Sequence, residues 1–231
     1  MRTLWLSLVL GLFSSNAFAG PCGLDMDRLP QGIRQAISRD LTVIANLRGV
    51  KASPLHQYFF TSYFVDGGAY CDYLRSQVDR FEYEPGENQG EVASYDPMTR
   101  TVHIHDEFFR DSQIGRLATL IHEVSHSRRV PHVACPVPFL DQAGYLVRGE
   151  LSGIDLSGRF ACDDEIDGAY SIETIWLENI ALNCTNCDSS FLVEAKKEAQ
   201  LSRIRVIGEP LFEALKADIT KVAAPPQISQ R

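Results

Sequence analysis

The segment Leu120-Ile121-His122-Glu123-Val124-Ser125-His126 sets two histidines four residues apart inside an apolar helical pattern. Positions four apart share one face of an α-helix, one turn from each other, so both imidazoles can reach a single ion. Glu123 then projects beside that ion, where a carboxylate can take a proton from water. Ile114, Leu117, Ile121 and Val124, with Ala118 beside them, supply the stripe that such a helix buries, and Ser125 is small where a metal pocket needs room. With six His in 231 residues, chance would produce HExxH about once in a hundred chains of this composition. The simpler alternative is a surface helix that happens to carry His, Glu and His, and the apolar flanks argue against it.

The first 19 residues read as an export signal. Arg2 gives a positive start, residues 4–13 an apolar run too short to span a bilayer, and Ala17-Phe18-Ala19 a cleavage site before Gly20. Pro21 directly before Cys22 disfavours a lipoprotein anchor. The expected mature chain is secreted or periplasmic, with no stable membrane insertion. All six cysteines fall within it, an even number that argues for disulfides rather than thiolate ligands. Six cysteines allow fifteen pairings, and sequence alone selects none. The expected set is Cys22–Cys71, Cys135–Cys162 and Cys184–Cys187. The last is a CxxC, but no βαβ pattern surrounds it, so a structural bridge is favoured over redox chemistry. A net charge of −8 disfavours nucleic acid or an anionic membrane as a partner.

Helical spacing of Ile33, Ile37, Leu41, Ile44 and Leu47 predicts a helix between Pro30 and Gly49, and a shorter one follows over 69–78. From Arg80 to His105 the period changes to two, and Asp96-Pro97-Met98-Thr99 reads as the turn of a hairpin. Asp111 or Ser112 can cap the HExxH helix, with Arg128 and Arg129 in its last turn and Pro131 and Pro136 beyond it. A loop-rich stretch runs to Asp167, followed by helices over 169–182, 190–205 and 210–222. Residues 20–222, roughly 212 with the short tail included, suit one domain. Residues 223–231 read as a disordered tail.

With these elements in place, residues 92–182 resemble a zincin metallopeptidase. The resemblance implies an α+β fold, mainly helical with a small antiparallel sheet before the HExxH helix. It also implies Zn2+ as cofactor, a protein or peptide substrate, and a strand before that helix that runs along the cleft. Thr101-Val102-His103-Ile104-His105 holds that place. Alternation with Val102 and Ile104 puts His103 and His105 together on the opposite, solvated face rather than on the metal.

A catalytic zinc takes three protein ligands and keeps a position open. His122 and His126 are two, and three residues compete for the third. His132 has the metzincin spacing HExxHxxGxxH, but Arg129 stands where that motif turns sharply on glycine, and a non-glycine residue rarely adopts positive φ. Glu173, in Gly168-Ala169-Tyr170-Ser171-Ile172-Glu173, resembles the gluzincin glutamate on a later helix. Asp167, in Asp167-Gly168-Ala169-Tyr170, resembles the D-x-x-Y of aspzincins. Glu173 ranks first, which gives a gluzincin-like set of His122, His126 and Glu173. Glu123 is then the general base and Tyr170, one turn before Glu173, the donor to the oxyanion. Asp163, Asp164, Glu165 and Glu178 are available to orient the histidines. The expected function is a secreted or periplasmic zinc metalloendopeptidase. The alternatives are a zinc amidase acting on cell-wall peptides and a non-catalytic, disulfide-stapled binding protein on a degenerate zincin fold.

Overall fold

The computed structural model describes residues 20–86, 91–149 and 152–223. The expected export signal and residues 224–231 of the expected tail lie outside the described residues, while Ala223 closes the last helix. About half of the chain is helical and the strands are short, an α+β arrangement. In order, the elements are α1 (Gln31–Asn46), β1 (Arg48–Lys51), α2 (Pro54–Phe60), β2 (Phe64–Asp66), α3 (Gly67–Gln77), β3 (Arg80–Tyr83), β4 (Ala93–Asp96) and β5 (Thr101–Ile104). They continue with α4 (Gln113–Ser125), β6 (Val133–Ala134), β7 (Phe160–Cys162), α5 (Ala169–Asn183), α6 (Ser189–Ile204) and α7 (Glu209–Ala223). Among the described residues no helix is long and apolar enough to cross a membrane.

The HExxH helix, α4, lies at the centre. Ser112 caps it, its hydroxyl accepting the Gly115 N–H at 3.0 Å. Ile114, Leu117, Ala118, Ile121 and Val124 are buried as their spacing requires, and so is Leu120. They pack into a core shared with Ile37, Leu41 and Ile44 of α1 and Ile172, Ile175 and Trp176 of α5. An ion pair from half-buried Arg116 to buried Asp40, at 2.7 Å, fastens α4 to α1. Leaving either charge unpaired there would be strongly destabilising.

The sheet before α4 departs from expectation. Its order is β3-β5-β4, with β4 antiparallel and β3 parallel to β5, so it is mixed rather than antiparallel. The hairpin over Asp96–Thr99 forms as the turn residues dictate. β5 forms a hairpin with β4 and runs in the direction of β3. As a result β5 is the middle strand, paired on both edges, and β3 and β4 are the outer strands. The polar-face expectation for the β5 histidines also fails in part. His105 is buried, with Nδ1 3.4 Å from the Glu84 carbonyl, while His103 is half-buried against the Glu84 carboxylate at 2.8 Å.

All three expected cysteine pairs are disulfides: Cys22–Cys71, Cys135–Cys162 and Cys184–Cys187. The CxxC bridge follows the end of α5 directly. Asn186 within it accepts the Arg48 N–H at 2.9 Å and donates to the Asn46 carbonyl at 2.7 Å, so the loop braces the α1–β1 corner. Cys135–Cys162 closes the excursion between α4 and α5, whose small core includes Phe139 and Leu156.

Candidate metal centre

Beyond Ser125 the chain makes a short 3-10 turn, His126–Arg128, and then reverses at Arg129. Arg129 has φ 63° and ψ 24°, the left-handed region, and its N–H returns to the His126 carbonyl at 2.9 Å. The turn that the metzincin spacing assigns to glycine is therefore made by an exposed arginine, at a cost of about 1 kcal/mol in backbone strain. The reversal brings His132 back over the end of α4. His122, His126 and His132 form a group whose ligand atoms all lie within 4.8 Å of one another, and the ring centroids are 4.7–5.2 Å apart.

The outer nitrogens explain how the group is held. Nδ1 of His122 lies 2.8 Å from Oε2 of Glu173, and Nδ1 of His132 lies 2.7 Å from Oδ1 of Asp163. An ionised carboxylate only accepts, so against it each imidazole carries its proton on Nδ1 and presents a bare lone pair at Nε2. Those two Nε2 atoms face each other at 3.3 Å. Two acceptors at this separation repel unless a cation lies between them. Two nitrogens that bind one ion at about 2.05 Å with the tetrahedral angle are about 3.4 Å apart. The donor set thus fits a metal ion. Burial, with His132 adding to it, pushes His122 down to about 3, and burial with the neighbouring histidines does the same to His126. Both are neutral at pH 7, the form that binds metal.

The expected third ligand, Glu173, is placed differently. It stands behind His122 on the Nδ1 side, and its other oxygen accepts from the Ser202 hydroxyl at 2.6 Å. Burial pushes this carboxyl up to about 7. Asp167 is drawn away to Arg128, 2.9 Å from its Nη1, and Arg128 in turn stacks over Phe59. His132, which ranks second on the sequence, is the residue grouped with His122 and His126.

Glu123 lines the same cavity, of about 360 Å³, with the three histidines, Tyr170 and Glu173. It is nine-tenths buried and makes no hydrogen bond or ion pair with the described residues. Burial, then the charges of Glu91 and Glu173, raise its carboxyl well above the usual range, which strengthens it as a proton acceptor. Tyr170 sits where its helical offset from Glu173 predicts. Its ring stacks on His132 at 5.0 Å and 28° and lies 4.3 Å from the ring of His122. Burial pushes the phenol up to about 12, so it keeps its proton at neutral pH.

Two contributors carried little or no sequence signal. Asp163 was one of four acidic residues available as orienting groups, and it alone reaches His132. It also accepts the Tyr170 N–H at 2.6 Å through Oδ2. This approach depends on Gly168, where a Cβ would come within 2.4 Å of the Asp163 carboxylate. Arg205, at the end of α6, hydrogen-bonds the Tyr170 hydroxyl, a contact no local pattern announces. β4, rather than β5, borders the cavity through Ala93, with Val92 just before it.

The chain matches no family model, no curated protein and no solved structure.

Proposed function

We propose that this chain is an exported zinc metallopeptidase with a three-histidine site of His122, His126 and His132. The observation that carries the reading is the pair of bare Nε2 atoms 3.3 Å apart beside the buried carboxylate of Glu123, which has no partner among the described residues. A structural zinc site would be closed by a fourth protein ligand and would have no use for a buried, unpaired base. When bound, zinc supplies Lewis-acid activation of a water and of the substrate carbonyl. Glu123 would accept a proton from the water whose oxygen bonds to the carbonyl carbon, and deliver it to the amine nitrogen as the C–N bond breaks. Tyr170, protonated and set against both His122 and His132, donates its phenolic hydrogen to the carbonyl oxygen as negative charge develops there. Glu173 and Asp163 fix the tautomer and the plane of the two histidines. The disulfides fit the oxidising compartment that the export signal implies.

The test is metal analysis of the purified protein with digestion of casein and of peptidoglycan, for wild type and Glu123→Gln. We expect about one zinc per chain in both proteins. Casein hydrolysis should occur in the wild type alone, lower in the variant by roughly a thousandfold or more. Turnover of peptidoglycan but not casein would replace the peptidase by the amidase. Undiminished hydrolysis by Glu123→Gln would end both.

A further inference from the structure

We propose that Arg205 is a positioning residue that aims the phenolic hydrogen of Tyr170 into the cleft, an inference that rests on the donor role given to Tyr170 above. Arg205 is the one Lys or Arg among the described residues that line the cavity. Its guanidinium Nη1 donates to the Tyr170 oxygen, and its carbon lies 4.7 Å from the centre of the same ring. A phenol oxygen that accepts from a guanidinium has that direction closed to its own hydrogen, which must point elsewhere. The cation also draws electron density from the oxygen and makes the remaining O–H a stronger donor.

The arrangement is fixed at both ends of Tyr170. At the main chain, Asp163 Oδ2 accepts its N–H at 2.6 Å, and at the phenol Arg205 takes the oxygen. The two anchors are joined, because the Asp163 N–H donates to the Arg205 carbonyl at 2.9 Å and the Ile207 N–H to the Asp163 carbonyl at 2.7 Å. Asp163 Oδ1 holds His132 at the same time. Metal ligand, phenol and guanidinium are therefore parts of one closed circuit, so the direction of the phenolic hydrogen is set relative to the metal position. Neither His122 nor His126 bonds to Arg205, so its side chain can be changed without removing a ligand.

The experiment compares Arg205→Gln, Arg205→Lys, Tyr170→Phe and the double variant Arg205→Gln/Tyr170→Phe. It reads kcat and KM on a fluorogenic peptide, zinc affinity by chelator competition, and calorimetric affinity for a phosphonamidate peptide. The tetrahedral oxygens of that probe stand in for the carbonyl oxygen after attack. We expect Arg205→Gln to lower kcat about 10- to 100-fold with KM and zinc affinity within about threefold of wild type. Phosphonamidate affinity should fall in parallel. Arg205→Lys, which keeps a donor but loses the planar fork, should recover about a factor of ten in kcat. In the Tyr170→Phe background, Arg205→Gln should change kcat and phosphonamidate affinity by less than about twofold, since a positioning residue has nothing left to position. Additive losses in the double variant would overturn the proposal, as would an unchanged kcat in Arg205→Gln. Loss of zinc together with kcat in both Arg205→Gln and Arg205→Lys would also overturn it, by showing a purely structural role. Failure of the peptidase reading itself looks different: wild type would neither turn over the peptide nor bind the phosphonamidate.

Discussion

Oε2 of Glu173 lies 2.8 Å from Nδ1 of His122, on the ring nitrogen turned away from His132. In the proposed three-histidine site, a carboxylate placed there would make the imidazole a better ligand without being one itself. The Ser202 hydroxyl on its second oxygen, 2.6 Å away, keeps it from swinging round the ring. The same geometry recurs between Asp163 and His132 at 2.7 Å, so two of the three histidines are backed by buried or half-buried carboxylates.

The first prediction follows from this division of labour. Removing an orienting carboxylate typically weakens a metal by about 10–100-fold, whereas removing a ligand costs far more. Glu173→Ala and Asp163→Ala should each retain zinc with affinity reduced in that range, and His132→Ala should lose it on dialysis. Competition with a chelator of known affinity orders the three variants. The reverse order, zinc lost in Glu173→Ala and kept in His132→Ala, would restore the ligand set of two histidines and a glutamate.

The second concerns Arg129, held at φ 63°. Glycine accepts this conformation without a Cβ penalty, although it adds freedom to the unfolded chain, and the two effects are each about 1 kcal/mol. Arg129→Gly should therefore be near-neutral in urea denaturation and keep full zinc affinity. A β-branched residue is a real outlier at positive φ. Arg129→Val should either lose about 1–3 kcal/mol or displace His132, read as a zinc affinity at least tenfold weaker. Equal behaviour of the two variants would mean that this turn does not set the position of His132.

The way the site divides into legible and illegible parts follows from distance along the chain. His122, Glu123 and His126 share one helix turn, so spacing alone brings them together, and the stripe from Ile114 to Val124 tells which face is buried. Tyr170 and Glu173 were placed near the metal by the same one-turn logic, yet which nitrogen Glu173 would meet depends on how α5 crosses α4, and no local pattern encodes that. His132 was demoted by a sound rule about positive φ that the protein breaks, with an exposed arginine bearing the strain. The sequence places β5 along the cleft because hairpin signals report antiparallel neighbours only, and the parallel partner β3 joins through a longer connection. Arg205 was invisible for the plainest reason: it reaches Tyr170 across 35 residues of sequence.

The third prediction tests the excursion between α4 and α5. Cys135–Cys162 spans 27 residues and anchors a segment that contributes Gly149, Ser152 and Leu156 to the cavity wall. A cross-link of this loop length contributes about 2–4 kcal/mol. The Cys135→Ala/Cys162→Ala variant should lose stability of that order in chemical denaturation. Because the disulfide touches none of the three histidines directly, zinc affinity should stay within about threefold of wild type. Loss of zinc at retained fold would mean that the segment holds His132 in place as well as walling the cavity.

The last prediction is a pH dependence from a group remote from the candidate metal site. His56, on α2, is fully buried, with Nε2 2.6 Å from the Tyr70 hydroxyl and Nδ1 3.3 Å from the Ser62 carbonyl. Burial lowers it to about 4, against an ordinary value of 6.5, and the Ser62 carbonyl opposes this only in part. Above pH 6.5 the imidazole is neutral in both folded and unfolded chains, and its contribution to stability is complete. Between 6.5 and 4 the unfolded chain binds a proton that the folded chain refuses, so stability falls as pH falls, and below about 4 this loss levels off. The shift corresponds to a loss of up to about 3 kcal/mol over that window. His122 and His126 are lowered too and act in the same direction, so the measurement is a difference. In urea denaturation from pH 7 to pH 4, the wild type should lose more stability than His56→Gln, with a slope steeper by up to about one proton. Parallel curves for the two proteins would show that His56 takes up its proton without unfolding.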